Sequence, residues 1–299
     1  MINSQTGAAT VQRRRPRIRI KPSRVSLYVF MIAMAAFTLL PLVYLTSTAF
    51  KPLDELFLFP PRFFVSRPVL QNFRDLMTSL GGTTVPFLRY VFNSVFVTAA
   101  TVALTVVVCA MCAYGVSKLK PVGANILFTL TVAALMFSGH VTQIPRYLVI
   151  NELGMINTYW ALILPNVAVG YNMFLMKQFI DQFPREILEA ARVDGAGEFR
   201  IFWKVVMPSM GPAWATLVVL STVATWNDYF SPLVYTSSQA MRTLPLALQT
   251  IAGGPATANI GRAGAVAASA FLMVIPVITL YAVMQKRMIA TMVHSGIKS

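Results

Sequence analysis

The sequence predicts an all-α membrane protein of six transmembrane helices, and three observations predict it. Apolar residues make up 56% of the 299 residues and charged residues only 12%, about half the charged share of a soluble domain. The apolar residues gather in long runs, most near the ~20 residues that cross ~30 Å of hydrocarbon as a helix. The basic residues cluster in segments that alternate along the chain, as topology requires of a multi-pass protein.

The runs fall at 27–49, 91–116, 125–137, 159–176, 210–235 and 263–284. Each must be helical, because backbone groups in lipid have to bond within their own segment. The third is the shortest, with Gly139, His140 and Pro145 following closely. Pro41, Pro165 and Pro276 sit inside spans and are read as kinks, which neighbouring helices tolerate.

Charge sets the orientation. Lys and Arg number 25 against 10 acidic residues, a formal charge of +15. With the N-terminus cytoplasmic, six spans put 17 of the 25 basic residues inside, including Arg13, Arg14, Arg15, Lys118, Lys120, Lys286 and Arg287. That excess follows the positive-inside rule, and it accounts for the basic balance without nucleic acid. The run from Arg13 to Arg24 is a topology signal that also suits anionic membrane lipid. The apolar stretch after it exceeds the 7–15 residues of a signal peptide, so the first span is retained.

The chain then divides into a basic arm (1–25), a first span with an extracellular segment (26–90), a transmembrane helical domain (91–285) and a cytoplasmic tail (286–299). The extracellular stretch FKPLDELFLFPPRFFV is proline-broken and suits the outer interface, where aromatics sit well. The Gly- and Ala-rich loop at 242–262 is a second outer connection. Cys109 and Cys112 share a helix face in the second span. With no His or further Cys beside them, they read as small packing residues rather than metal ligands.

One segment differs. The stretch KQFIDQFPREILEAARVDGAGEFRIFWKVVM (177–207) carries five of the ten acidic residues and five basic ones. Pro184 suits a helix start, and Phe183, Ile187, Ala190 and Ala191 fall on one face. Asp194-Gly195 stops that helix, glycine taking positive φ at little cost. A second helix aligns Phe199, Phe202, Trp203 and Val206 at i, i+3, i+4, i+7, and Pro208 closes it. This hairpin either shields a bundle end or meets another protein. Ala190-Ala191 favours contact, since small side chains admit a close neighbour.

Glu189, Ala190, Ala191, Asp194, Gly195, Ala196 and Pro208 stand in the register of a known pattern. EAARVDGAGEFRIFWKVVMP resembles the EAA motif of ABC importer permeases, with Val205 and Met207 where Ile and Leu are usual. Asn93-Ser94, Ala113-Tyr114, the stretch 145–165, Trp226-Asn227-Asp228, Thr243-Leu244-Pro245 and the tail HSGIKS are similar to the carbohydrate-uptake branch. The resemblance implies a MetI-like, type I ABC importer permease of the MalG-like kind in a bacterial cell membrane. It implies a heterodimer with a second homologous permease, two cytoplasmic ABC ATPase subunits and an extracytoplasmic solute-binding protein. The loop 177–208 becomes the coupling element that the ATPases move.

No G-x-x-x-x-G-K-[ST] and no Gly-Lys pair occurs, so ATP and Mg would be bound by the partner ATPase and no cofactor by this chain. Asn93, Trp226, Asn227, Asp228 and Tyr229 are candidates for the sugar pathway, aromatic faces beside amides and a carboxylate. The alternative for Asp228 is a helix-end partner. An ion-coupled secondary transporter is the rival reading, opposed by spans with Asp228 as their only acid. An enzyme is opposed by the lack of a clustered acid, base, nucleophile or metal set.

Overall fold

The computed structural model describes residues 22–81, 85–252 and 256–296, and these hold no strand. Residues 1–21 of the basic arm and 297–299 of the tail lie outside the described residues. The chain divides into two compact units, 1–44 and 45–299.

The first unit carries most of α1 (Pro22–Ala49). Its apolar side chains are exposed on every side, with Phe30 at 64%, Ile32 at 68% and Phe37 at 69%. A helix apolar all round belongs in lipid. Pro41 lies within this helix, which runs unbroken past it.

The second unit opens with α2 (Leu53–Leu56) and α3 (Gln71–Gly81). The stretch expected at the outer interface is held by its own hydrogen bonds. Buried Glu55 accepts from the Ser66 N–H at 3.0 Å, and Lys51 Nζ donates to the Arg62 carbonyl. Asn72 Nδ2 donates to the carbonyls of Ala49 (2.9 Å) and Lys51 (2.8 Å). That side chain packs against Gly264 of α15 (Ala256–Gly296), where an added Cβ would lie 2.0 Å from Asn72 Oδ1. Only a glycine permits this approach. Phe57, Phe59 and Phe64 remain exposed, as an interfacial stretch requires.

Helix α4 (Phe87–Tyr114) is the hub of this unit and continues through a π-helical turn, Gly115–Leu119. Together they run 33 residues, ~50 Å at 1.5 Å per residue, well beyond the hydrocarbon thickness. Asn93, Val97, Thr101, Thr105 and Cys109 form a buried stripe along it. Small side chains in that stripe let α7 (Tyr159–Val167), α8 (Gly170–Asp181) and α12 (Gly211–Trp226) approach closely. The expected Cys pair divides here: Cys109 is buried against the stripe, while Cys112 is exposed. Three residues turn a helix by 300°, not a full circle, and the contact line falls between them.

Three expected spans are interrupted. The helix in the third run, α5 (Ala124–Ala134), has 11 residues, ~16 Å of rise, and the chain turns irregularly before α6 (Gln143–Glu152). The fourth is two helices, α7 and α8, bent by 44° at residues 168–169, three past Pro165. The fifth ends as a helix at Trp226, turns at 227–229 and resumes as α13 (Phe230–Tyr235). Among the described residues, three helices are long and apolar enough to cross a membrane, or up to five if each bent pair is one span.

The 242–262 stretch, expected as a free outer loop, contains α14 (Leu244–Ala252). Leu244, Leu246, Ala247, Leu248 and Ile251 are all buried, in contact with Tyr90, Trp226 and Ala265 or adjoining them. A second core gathers Cys109, Ala113, Tyr114, Met176 and Ile180 with Leu188, Ile201, Phe202, Val206 and Leu217. Here the 177–207 segment joins the bundle.

Candidate functional site

Residues 185–206 form a helix, a turn at Gly195 and a second helical stretch, a hairpin in shape. Helix α9 (Arg185–Val193) follows Pro184 and ends at Asp194. Gly195 takes φ +77°, and Ala196 N–H returns to the Ala191 carbonyl at 3.0 Å. Helix α10 (Glu198–Ile201) and a π-helical turn, Phe202–Val206, lead to α11 (Met207–Ser209). The axis then bends by 78° into α12. Pro208, Gly211 and Pro212 crowd this elbow, and Pro cannot supply the N–H a straight helix would need there.

The hairpin's buried face is rotated from the one expected. Leu188 (2% exposed) and Phe183 anchor α9, while Ile187 and Ala190 lie on the surface. On the return strand of the hairpin Ile201, Phe202 and Val206 are buried, and Phe199 (69%) and Trp203 are exposed. Helical periodicity marked an apolar stripe but could not say which of two adjacent apolar residues met the core. Glu189, Ala190, Val193 (87%), Asp194 and Phe199 are among the exposed residues. Exposed apolar side chains interleaved with acids mark a protein-contact surface better than a lipid one.

A polar latch holds this hairpin to α4. Tyr114 Oη donates to Glu198 Oε2 at 2.7 Å, and Arg192 Nε meets Glu198 Oε1 at 2.7 Å. Glu198 therefore joins the end of α9 to the start of α10 and both to α4. The Arg192 guanidinium, then the Tyr114 hydroxyl, hold its carboxyl below the usual range. Tyr114 also lies 5.6 Å from the Phe202 ring. Lys118 Nζ caps the neighbouring chain, donating to the carbonyls of Asp181 (3.2 Å) and Phe183 (2.7 Å). Glu198 and Arg192 share the 177–207 segment, but Tyr114, the second partner of Glu198, is 84 residues away in sequence, beyond the reach of local patterning.

The candidate pathway residues divide into two groups. Asn93 is fully buried: Nδ2 donates to the carbonyls of Ala240 and Arg242, each at 2.8 Å, and Oδ1 accepts from Tyr159 Oη at 2.7 Å. Ser94 Oγ accepts from the Leu244 N–H at 2.7 Å. Trp226, 5% exposed, donates Nε1–H to the Met273 carbonyl at 3.0 Å. Both candidates hold elements together. Asn227 bonds back to the Val223 carbonyl, and Tyr229 is exposed.

Asp228 does two things. Its Oδ1 accepts from the N–H groups of Phe230 and Ser231, both at 3.0 Å, and so caps α13. It also lines a polar recess of about 470 Å³ beside His140, Gln143, Arg146, Asn166 and Tyr235. Gln143 and Asn166 belong to no motif in the sequence, and Arg146 is one residue of the stretch 145–165. Their signal, polar residues beside helix breaks, is faint when each break is read as part of a continuous span.

The segment 145–165 is tied to the same region. Asn157, at φ +62°, donates its N–H to the Tyr235 carbonyl at 2.8 Å and accepts from Ser238 N–H at 3.0 Å. Stretches that looked separate in sequence thus form one hydrogen-bonded cluster. No group of three or more metal-binding side chains occurs among the described residues.

Known proteins resemble this chain along most of its length. The chain is similar to Protein LplC of Bacillus subtilis, 33% identical over 227 residues, covering 74% of this chain and 73% of the relative. It is 29% identical over 277 residues to the arabinooligosaccharides transport system permease protein AraQ of Halalkalibacterium halodurans, covering 91% and 94%. It is 32% identical over 219 residues to the sn-glycerol-3-phosphate transport system permease protein UgpE of Yersinia enterocolitica, covering 72% and 76%. Among solved structures, a chain of a bacterial ABC transporter involved in the import of the acidic polysaccharide alginate shares the fold. The TM-score is 0.75 at 23% identity, over 90% of this chain and 98% of that one. Residues 8–292 match the profile of the binding-protein-dependent transport system inner membrane component. With that match over nearly its whole length, the chain belongs to this family of membrane permeases, whose members are transport subunits and not enzymes.

Proposed function

We propose that this permease forms half of the translocation pathway of an ATP-driven importer for a sugar or oligosaccharide. The observation that carries the coupling part is the latched hairpin, packed on α4 and α12 inside and exposing Glu189, Ala190, Val193, Asp194 and Phe199 outside. Glu189, Ala190, Ala191, Asp194, Gly195 and Ala196 form the docking surface for a cytoplasmic ATPase, and Pro208 fixes the elbow behind it. Closure of two ATPase subunits moves the hairpin as a rigid body, and the 78° elbow passes that motion to α12. The sugar part rests on relatives named for saccharide transport.

In this reading the bilayer is crossed six times, both termini are cytoplasmic, and α5 with the irregular stretch after it makes the third crossing. A second homologous permease completes the pathway, and a solute-binding protein delivers from the other side. Asn227, Asp228 and Tyr229 face the pathway, with Asn93 and Trp226 as the residues that position them. Family membership removes the ground for an ion-coupled carrier.

The test is affinity purification of the chain from its native membrane in mild detergent, followed by an uptake panel. A Walker-motif ATPase and a second permease are expected, with the ATPase lost on Glu189→Lys. Recovery of the chain alone would overturn the importer assembly. The panel compares arabino-oligosaccharide, rhamnogalacturonan oligosaccharide, alginate oligosaccharide and sn-glycerol 3-phosphate. Uptake confined to the last would overturn the sugar.

A further inference from the structure

Two interruptions of the helical ladder line the polar recess, the irregular stretch 135–142 after α5 and the turn at 227–229, and a third, the bend at 168–169, lies two residues past Asn166 of its lining. At membrane depth, non-helical backbone persists where it lines a cavity, and broken helices there build solute sites. The recess measures about 470 Å³, within the ~300–1,000 Å³ of small-molecule sites. A hollow of about 220 Å³ shares Asn166 and Asp228 with it and continues to Asn172 and Ser221, which bond to each other at 3.2 Å. Polar side chains therefore run from the recess into the helix packing, in a chain otherwise poor in them.

From this geometry we propose that the recess is a subsite for one uncharged sugar ring of the transported solute, held between Arg146 and Asp228. The proposal deepens the importer reading above and rests on it. The lining supplies both halves of a hydroxyl's needs. Arg146 and Gln143 donate. Asp228 has spent Oδ1 on the α13 cap, and its Oδ2 remains to accept. Asn166 has spent Nδ2 on the Leu162 carbonyl at 3.1 Å, and its amide oxygen remains. Tyr235, stacked on Tyr147 at 6.5 Å, gives an aromatic wall. Neither Arg146 nor Asp228 belongs to any of the four ion pairs among the described residues. One fixed positive and one fixed negative charge leave the lining formally neutral. A ring of hydroxyls satisfies both, whereas a ring carboxylate or phosphate meets Asp228 at the cost of like-charge repulsion.

Two variants test this on the assembled importer in proteoliposomes with its binding protein. The probes are the neutral oligosaccharide that the panel identifies and the same oligosaccharide oxidised to its uronic acid form. Asp228→Asn keeps the cap, because Asn caps helices as well as Asp does, and removes only the charge. It should raise the acidic-to-neutral ratio of kcat/KM about tenfold, and Arg146→Gln should lower it by a similar factor. A residue that only supports the fold would depress both probes together and leave the ratio unchanged, and that result overturns the proposal. Co-purification of the ATPase checks that each variant assembles, and if Asp228→Asn does not, Arg146→Gln decides alone. Wild-type uptake of acidic saccharides only would overturn the neutral ring and leave the importer reading standing. Failure of the wild type to assemble with any ATPase would instead overturn the importer reading beneath it.

Discussion

Gly195 shows how one residue's backbone freedom sets a functional surface. At φ +77° it reverses the chain between α9 and α10, and a Cβ there would meet nothing within 4 Å. The cost of Gly195→Ala is therefore conformational alone, ~1–2 kcal/mol. Membrane insertion should survive, while uptake falls at retained ATP hydrolysis. Equal uptake by variant and wild type would remove the turn from the coupling account. The latch beside it responds to pH. Glu198 titrates below its ordinary value of 4.5 when folded, chiefly because of Arg192. The latch thus contributes fully above that value and is lost only as pH falls through the lowered one. Protection of the amides across 190–200, relative to their intrinsic exchange at each pH, should hold at about pH 5 and fall only in stronger acid. Tyr114→Phe should lower it at neutral pH, corresponding to about 1 kcal/mol. The turn at Gly195 was legible because a dipeptide specifies it. The choice of Leu188 over Ile187 for the core was not, because neighbouring residues differ by only 100° of helix rotation.

Elements in this protein are joined by a few buried polar side chains. Asn93 on α4 binds two carbonyls near α14 and the hydroxyl of Tyr159 on α7. Asn93→Ala leaves those groups unpaired in the interior, and a loss of roughly 2–3 kcal/mol is expected. Thermal unfolding in detergent should report it, and an unchanged midpoint would show that water or another partner substitutes. Gly264 is the second such joint. Gly264→Ala pushes Asn72 off its bonds to Ala49 and Lys51, so α3 should separate from α15 with a loss of similar size. Protease resistance of 71–81 measures that separation. Sequence located Asn93-Ser94 and Thr243-Leu244-Pro245 as motifs of separate elements. Their bond, Leu244 N–H to Ser94 Oγ, needed the fold.

At the scale of the molecule, composition dictates a helical membrane protein, since an apolar majority in long runs has no other way to satisfy its backbone in lipid. The third crossing is the open point of the proposed topology. With α5 only 11 residues long, the chain must finish that crossing through 135–142, whose polar backbone needs the recess. In a chain with Cys109 and Cys112 replaced by alanine, Val122→Cys and His140→Cys should react with an impermeant thiol reagent from opposite sides. Labelling of both from one side would reduce the proposed crossings. The sequence by itself determined the class, the number of apolar runs and the turn at Gly195, because hydropathy and a Gly turn are local properties. Only the tertiary structure decided where the spans break, which apolar face is buried, and that Tyr114, Arg192 and Glu198, or Arg146, Asn166 and Asp228, meet. Those meetings join residues from different helices, and their geometry is fixed by how helices pack rather than by the order in which residues follow one another.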